Sequence, residues 1–214
     1  MNVVEVKKTR VGLVLAVNLL IFGLVVYAWF VMMFRMGDGT LSGTGLSSLR
    51  YYTVLSNLLE GLAALITVVF TVLILAGKAS ELPRWVTLLC YAGTTSVSLT
   101  FVTVMVYLGP VFGFNIMFND ANLYFHLLIP LFAIMEALFL SKEKLRFKDS
   151  FVATLPTLLY GVWYIINNLA NGREGNDIYY LFYFGPAASV LFFIGFMAVA
   201  WGIALLLRLP RKAP

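Results

Sequence analysis

Residues 11–34 read VGLVLAVNLLIFGLVVYAWFVMMF, twenty-four consecutive positions without a charged side chain. A helix crosses the hydrocarbon layer in about 20 apolar residues, so this stretch reads as a transmembrane span. Five further stretches have the same character: 51–75, 85–108, 123–140, 151–170 and 180–207. Within them only Glu60 and Glu136 carry charge, and His126 is the sole histidine of the chain. None alternates apolar with polar residues as the strands of a membrane barrel do. The expected fold is all-α: a single polytopic domain over 1–214, a six-helix transmembrane bundle.

Composition supports this reading. The 214 residues are 61% apolar and 12% charged, against roughly 45–50% and about 25% in soluble domains. A water-soluble fold of this size has too little interior for that much apolar surface, and disorder is excluded for the same reason. One cysteine excludes a disulfide framework, and one histidine leaves no set of metal ligands at the usual spacing. No metal and no cofactor are therefore expected.

The breaks between spans are polar or glycine-rich: Gly37-Asp38-Gly39 through Gly45, Ala76 to Pro83, Gly109-Pro110, Ser141 to Asp149 and Asn171 to Asp177. The first span is too long for a cleavable leader and lacks a small-residue cleavage site after it. Counted on alternate sides, twelve Lys and Arg (7, 8, 10, 78, 84, 142, 144, 146, 148, 208, 211 and 212) face three (35, 50 and 173). Positive charge favours the cytoplasmic side, so both termini are expected there. The net charge of +5 then orients the bundle and meets anionic lipid, and nucleic acid is not an expected partner. Short loops without N-x-[ST] sequons suit a bacterial inner membrane.

Polar groups within a bilayer are costly, and each asks for a role. Thr53, Asn57 and Glu60 are spaced by four and three residues and share one helical face. The second and fourth spans run in the same direction, which sets Thr53 and His126 at similar depth near the outer boundary. An imidazole beside a hydroxyl is the minimum for nucleophilic catalysis. His126 reads equally as an interfacial histidine bonded to a helix end, and Thr53 as a hydroxyl bonded back to its own helix. Glu60 lies roughly 10 Å below Thr53, and Glu136 roughly 15 Å below His126; two such carboxyls also suit a proton or cation path. Asn167 and Asn168 sit at the depth of His126. Thr94, Thr95, Ser96, Ser98, Thr100 and Thr103 on the third span read as interhelical hydrogen-bonding groups.

Two of these segments resemble a known family. Tyr51-Tyr52-Thr53-Val54-Leu55-Ser56-Asn57-Leu58-Leu59 is similar to the threonine-bearing helix of the androgen-induced gene 1 and androgen-dependent TFPI-regulating protein family of membrane threonine hydrolases. Asn122 to Pro130 resembles its histidine-bearing helix, with Pro130 at +4 and Glu136 at +10 from His126 as in bacterial-type relatives. Pro156, Tyr160 and Trp163 loosely resemble the next helix, and the likeness extends over about 11–207. The loop 171–177 lacks the tryptophan-rich turn of that family.

The resemblance implies a threonine-dependent carboxylic ester hydrolase acting within the membrane on lipid esters, among them fatty acid esters of hydroxy fatty acids. Thr53 would be the nucleophile and His126 the base. Asn57, Tyr160 and Asn167 are candidate oxyanion donors, with Glu60 and Glu136 as supporting groups. The substrate would enter sideways from the bilayer. The alternative is a small transporter or lipid-binding protein in which Glu60, Glu136 and His126 titrate.

Overall fold

The computed structural model describes residues 3–34, 45–183 and 185–211; the glycine-rich loop from Gly37 and the basic residues Arg35 and Lys212 fall outside them. Six helices are long and apolar enough to cross a membrane: α1 (Val3–Phe34), α2 (Tyr52–Leu75), α3 (Arg84–Phe112), α4 (Ala121–Leu140), α5 (Asp149–Asn171) and α6 (Pro186–Arg208). No strand is present among the described residues. The chain is an integral, multi-pass membrane protein.

The bundle is built around α3. It packs against α2, α4, α5 and α6, while α1 closes on α2 and α4. Every residue from Tyr91 to Thr100 is buried. A helix enclosed by other helices gains nothing from long apolar side chains, and small hydroxylated residues let neighbouring backbones approach closely. Two of these hydroxyls are satisfied within the helix, Ser96 donating to the Ala92 carbonyl at 2.8 Å and Ser98 to that of Thr94 at 2.6 Å, whereas Thr95 Oγ1 is buried without a partner. Ser56 and Thr100 join α2 to α3 at 3.1 Å.

One level of the bundle is especially tight. A Cβ built on Gly93 of α3 would lie 2.3 Å from Glu60 Oε2 and 3.1 Å from the Glu60 Cα. Glycine at 93 is therefore what lets α2 and α3 approach and gives the Glu60 carboxyl its space.

Two spans differ from their sequence outlines. The apolar run 180–207 suggests a sixth helix starting near Tyr180, yet α6 starts at Pro186. The Asp177 carboxylate accepts the backbone N–H groups of Leu181 and Phe182, each at 2.9 Å, and the Tyr164 hydroxyl at 2.7 Å. That network, with Tyr180 at φ 55° and Gly185 at φ 93°, holds 181–183 in turns. Replacing Asp177 by Ala removes three hydrogen bonds to a carboxylate. We expect a loss of about 2–4 kcal/mol, read by thermal unfolding, whereas Glu174→Ala should change little.

The third span continues past the Gly109-Pro110 break expected from the sequence. Proline lacks an N–H, and its ring collides with the carbonyl four residues back. Here the helix widens into a π turn at Val104–Leu108, runs on to Phe112 and stops at Gly113, where φ is 95°. The same device recurs in α4, whose π turn Tyr124–Leu128 also ends two residues before a proline, Pro130.

Candidate functional site

Pro130 bears directly on His126, since the carbonyl its ring would strike belongs to residue 126. The π turn relieves that clash and includes His126 itself. Such turns are frequent at functional sites. The ring is buried, and its Nδ1 lies 2.7 Å from the Met117 carbonyl oxygen. A carbonyl can only accept, so in the neutral ring Nδ1 carries the hydrogen and Nε2 keeps its lone pair. Nε2 is buried without a hydrogen-bond partner.

Met117 reaches that position because the chain after α3 folds back as a single turn, Phe114–Met117. Asn122, one turn before His126, donates to the neighbouring Ile116 carbonyl at 3.4 Å. Two side chains of α4 thus grip consecutive carbonyls of the connector between α3 and α4.

Thr53 sits in the first turn of α2, next to Tyr52 at its start. The Tyr179 hydroxyl accepts the Tyr52 N–H at 2.9 Å and also bonds the Thr53 backbone. Burial pushes the Tyr179 hydroxyl up to about 12, so it stays neutral at physiological pH. The dipole of a first helical turn favours negative charge there, although the N–H groups of this turn are already bonded, those of Val54 and Leu55 to the Tyr51 carbonyl.

Thr53 borders a cavity of about 100 Å³ between α2, α3, α5 and α6. Leu99, Val104, Ile165, Phe193 and Phe196 give it an apolar wall, and Tyr52, Thr157, Tyr164 and Tyr179 line it as well. Tyr52 and Thr157 hydroxyls share one hydrogen bond of 2.7 Å. Both groups line the cavity, and the Tyr52 hydroxyl also bonds Ser96, whose own hydrogen goes to the Ala92 carbonyl.

Asn57 connects the threonine and histidine helices. Its amide nitrogen donates to the Thr53 carbonyl at 2.7 Å and to the Phe125 carbonyl at 3.1 Å. Both amide hydrogens are therefore used, and Asn57 acts as a tether between the two segments. Tyr160 donates to the Arg50 carbonyl at 2.6 Å, and Asn167 to Asn176 Oδ1 at 3.3 Å. Asn57 and Tyr160 thus have their hydrogens engaged in bonds that hold loops and helices together, and Asn167 has one of its two amide hydrogens so engaged. Asn168 likewise donates to Asn176, through its backbone carbonyl, at 3.4 Å.

No family model, curated protein or solved structure matches the chain. The site rests on its own geometry.

That geometry brings Thr53 and His126 onto adjacent, tethered segments without a hydrogen bond between them. Thr53 faces the cavity, whereas His126 does not line it. Glu60 is buried, with one contact to Thr94 Oγ1 at 3.4 Å and Oε2 unpartnered. Glu136 bonds Asn18 of α1. Neither carboxyl lines any of the cavities described.

Sequence reasoning did not single out Met117, Tyr52, Thr157, Tyr179 or Asn18. A backbone carbonyl that orients an imidazole leaves no residue signature. The aromatic residues of the cavity look, in sequence, like any others near a membrane boundary.

Proposed function

We propose that the chain is an intramembrane hydrolase of lipid esters, with Thr53 as nucleophile and His126 as base. The observation that carries this reading is the buried His126, held by Met117 with its Nε2 lone pair free. A base must have that lone pair available, and a fixed tautomer makes it available without rearrangement. Thr53, on the tethered neighbour and beside an apolar cavity, is the hydroxyl it would serve. Hydrogen bonds between nucleophile and base are often unformed before substrate binds.

In the proposed reaction, the acyl chain of an amphiphilic ester occupies the cavity and its carbonyl reaches Thr53. His126 Nε2 takes the hydroxyl proton as Oγ1 attacks the carbonyl carbon. The tetrahedral oxyanion develops at the positive end of α2, whose dipole favours negative charge. Collapse breaks the bond to the alcohol oxygen, which receives the proton from the imidazolium, and leaves an acyl-threonine. Water, deprotonated by the same nitrogen, then releases the acid and restores Thr53.

The orientation with both termini cytoplasmic, and a bacterial inner membrane, belong to the same reading. The orientation rests on the twelve-to-three distribution of Lys and Arg, and the bacterial inner membrane on the short loops without N-x-[ST] sequons.

Pro130→Ala tests the positioning. Without the proline ring, the turn 124–128 is free to close into an α-helix, which would rotate His126 away from Met117. A misplacement on the order of 1 Å costs about 10²-fold, and we expect a loss of that size in ester hydrolysis. Full activity in a folded Pro130→Ala protein would separate the π turn from the chemistry. Retained binding of a lipid ester with no turnover by the unaltered protein would favour the lipid-binding reading over the enzyme.

A further inference from the structure

At the opposite end of the bundle from Thr53, where α1, α2, α3 and α4 end, lies a second cavity of about 420 Å³. Val11, Val14, Ile74 and Leu140 give it apolar walls, and the buried Thr71 and Thr87 line it as well. Its rim carries Arg10 from α1 and Lys142 and Lys144 from the connector after α4.

The charges around it do not cancel. Arg84 is tied to the Asp149 carboxylate, and its other nitrogen donates to the Lys144 carbonyl at 2.7 Å, which fixes the connector. Glu143 faces Arg211 at 3.8 Å. Among the described residues Glu81 is the remaining acid on the rim, against Arg10, Lys142 and Lys144. Apolar walls beneath a cationic rim, at the level where membrane helices end, match a phosphate headgroup with its acyl chain below. Basic pockets between helices at this depth recognise anionic headgroups.

We propose that this cavity is a binding site for the phosphate headgroup of an anionic phospholipid. Arg10, Lys142 and Lys144 would contact the phosphate, while the acyl chain lies along Val14 and Ile74. The site is independent of the hydrolase reading and stands at the other end of the molecule.

The test is lipid retention by the purified full chain, read by native mass spectrometry after exchange into equimolar phosphatidylglycerol and phosphatidylcholine. The unaltered protein should retain phosphatidylglycerol in preference. A variant with Arg10→Gln, Lys142→Gln and Lys144→Gln should lose that preference, by about a hundredfold if each cation contributes about 1 kcal/mol. The charge-matched control, with Lys78→Gln, Arg146→Gln and Lys148→Gln, alters basic residues of the same end that do not line the cavity and should keep it.

Equal retention of both lipids by the unaltered protein would overturn the proposal. So would an equal loss in the two variants, which would assign the effect to overall charge. Displacement of the lipid by inorganic phosphate alone would mark a site for free phosphate and overturn the lipid assignment. Lys142 and Lys144 are exposed, so the double variant Lys142→Gln, Lys144→Gln keeps the test available if Arg10→Gln impairs folding.

Discussion

Thr53→Ala is expected to lower release of acid from a lipid ester by about 10³-fold or more, since removing a nucleophile leaves only binding and oxyanion stabilisation. His126→Ala should cost a similar factor, and the double variant little more than either, because residues that act in one step are not additive. Thr53→Ser keeps the hydroxyl and should retain measurable activity. The readout is acid release by purified protein, together with labelling by a fluorophosphonate probe that marks activated hydroxyls. Thr53→Ala should be unlabelled. Turnover by Thr53→Ala at the rate of the unaltered protein would remove the threonine from the mechanism. Thermal unfolding should be little changed by Thr53→Ala, because the Asn57 tether bonds the Thr53 carbonyl and not its side chain.

The second large effect concerns stability. Gly93→Ala places a methyl group 2.3 Å from Glu60 Oε2 and 3.1 Å from the Glu60 Cα. The carboxyl must move, losing its Thr94 contact, and the two helices must give by several tenths of an ångström. Overpacking of this kind costs about 1–3 kcal/mol, which should appear as a lower unfolding midpoint in detergent. Glu60→Ala combined with Gly93→Ala removes the atom in conflict and leaves space for the new methyl. The double variant should therefore recover much of the loss, a coupling that a double-mutant cycle reads directly. A Gly93→Ala protein as stable as the original would mean that α2 and α3 separate at no cost.

How far the sequence anticipates this architecture depends on the distance over which each feature is decided. Six spans are legible because the bilayer imposes length and apolarity on each segment separately. The shared face of Thr53, Asn57 and Glu60 follows from spacing along one helix, and all three are buried. The start of α6 is not legible from its apolar run, because Asp177 captures the Leu181 and Phe182 amides through a loop fold. Pro130 marks a disturbance in α4, but its resolution as a π turn and the bond from His126 to Met117 depend on the connector folding back. Likewise, the amide of Asn57 could have faced substrate. Only the approach of Phe125 from another helix shows where its hydrogens go.

The buried hydroxyl-rich segment of α3 also bears on biogenesis. Lipid is a poor substitute for the helices that surround Tyr91–Thr100, so α3 gains less from partitioning alone than α1 or α2 does. The hydroxyls of Ser96 and Ser98, bonded back to their own helix, lessen that deficit before any neighbour arrives. The close seat of Glu60 against Gly93 then gives α2, the span made just before it, a site on which to receive α3. Insertion of the two as a hairpin would let the centre of the bundle form during synthesis, ahead of α4 to α6.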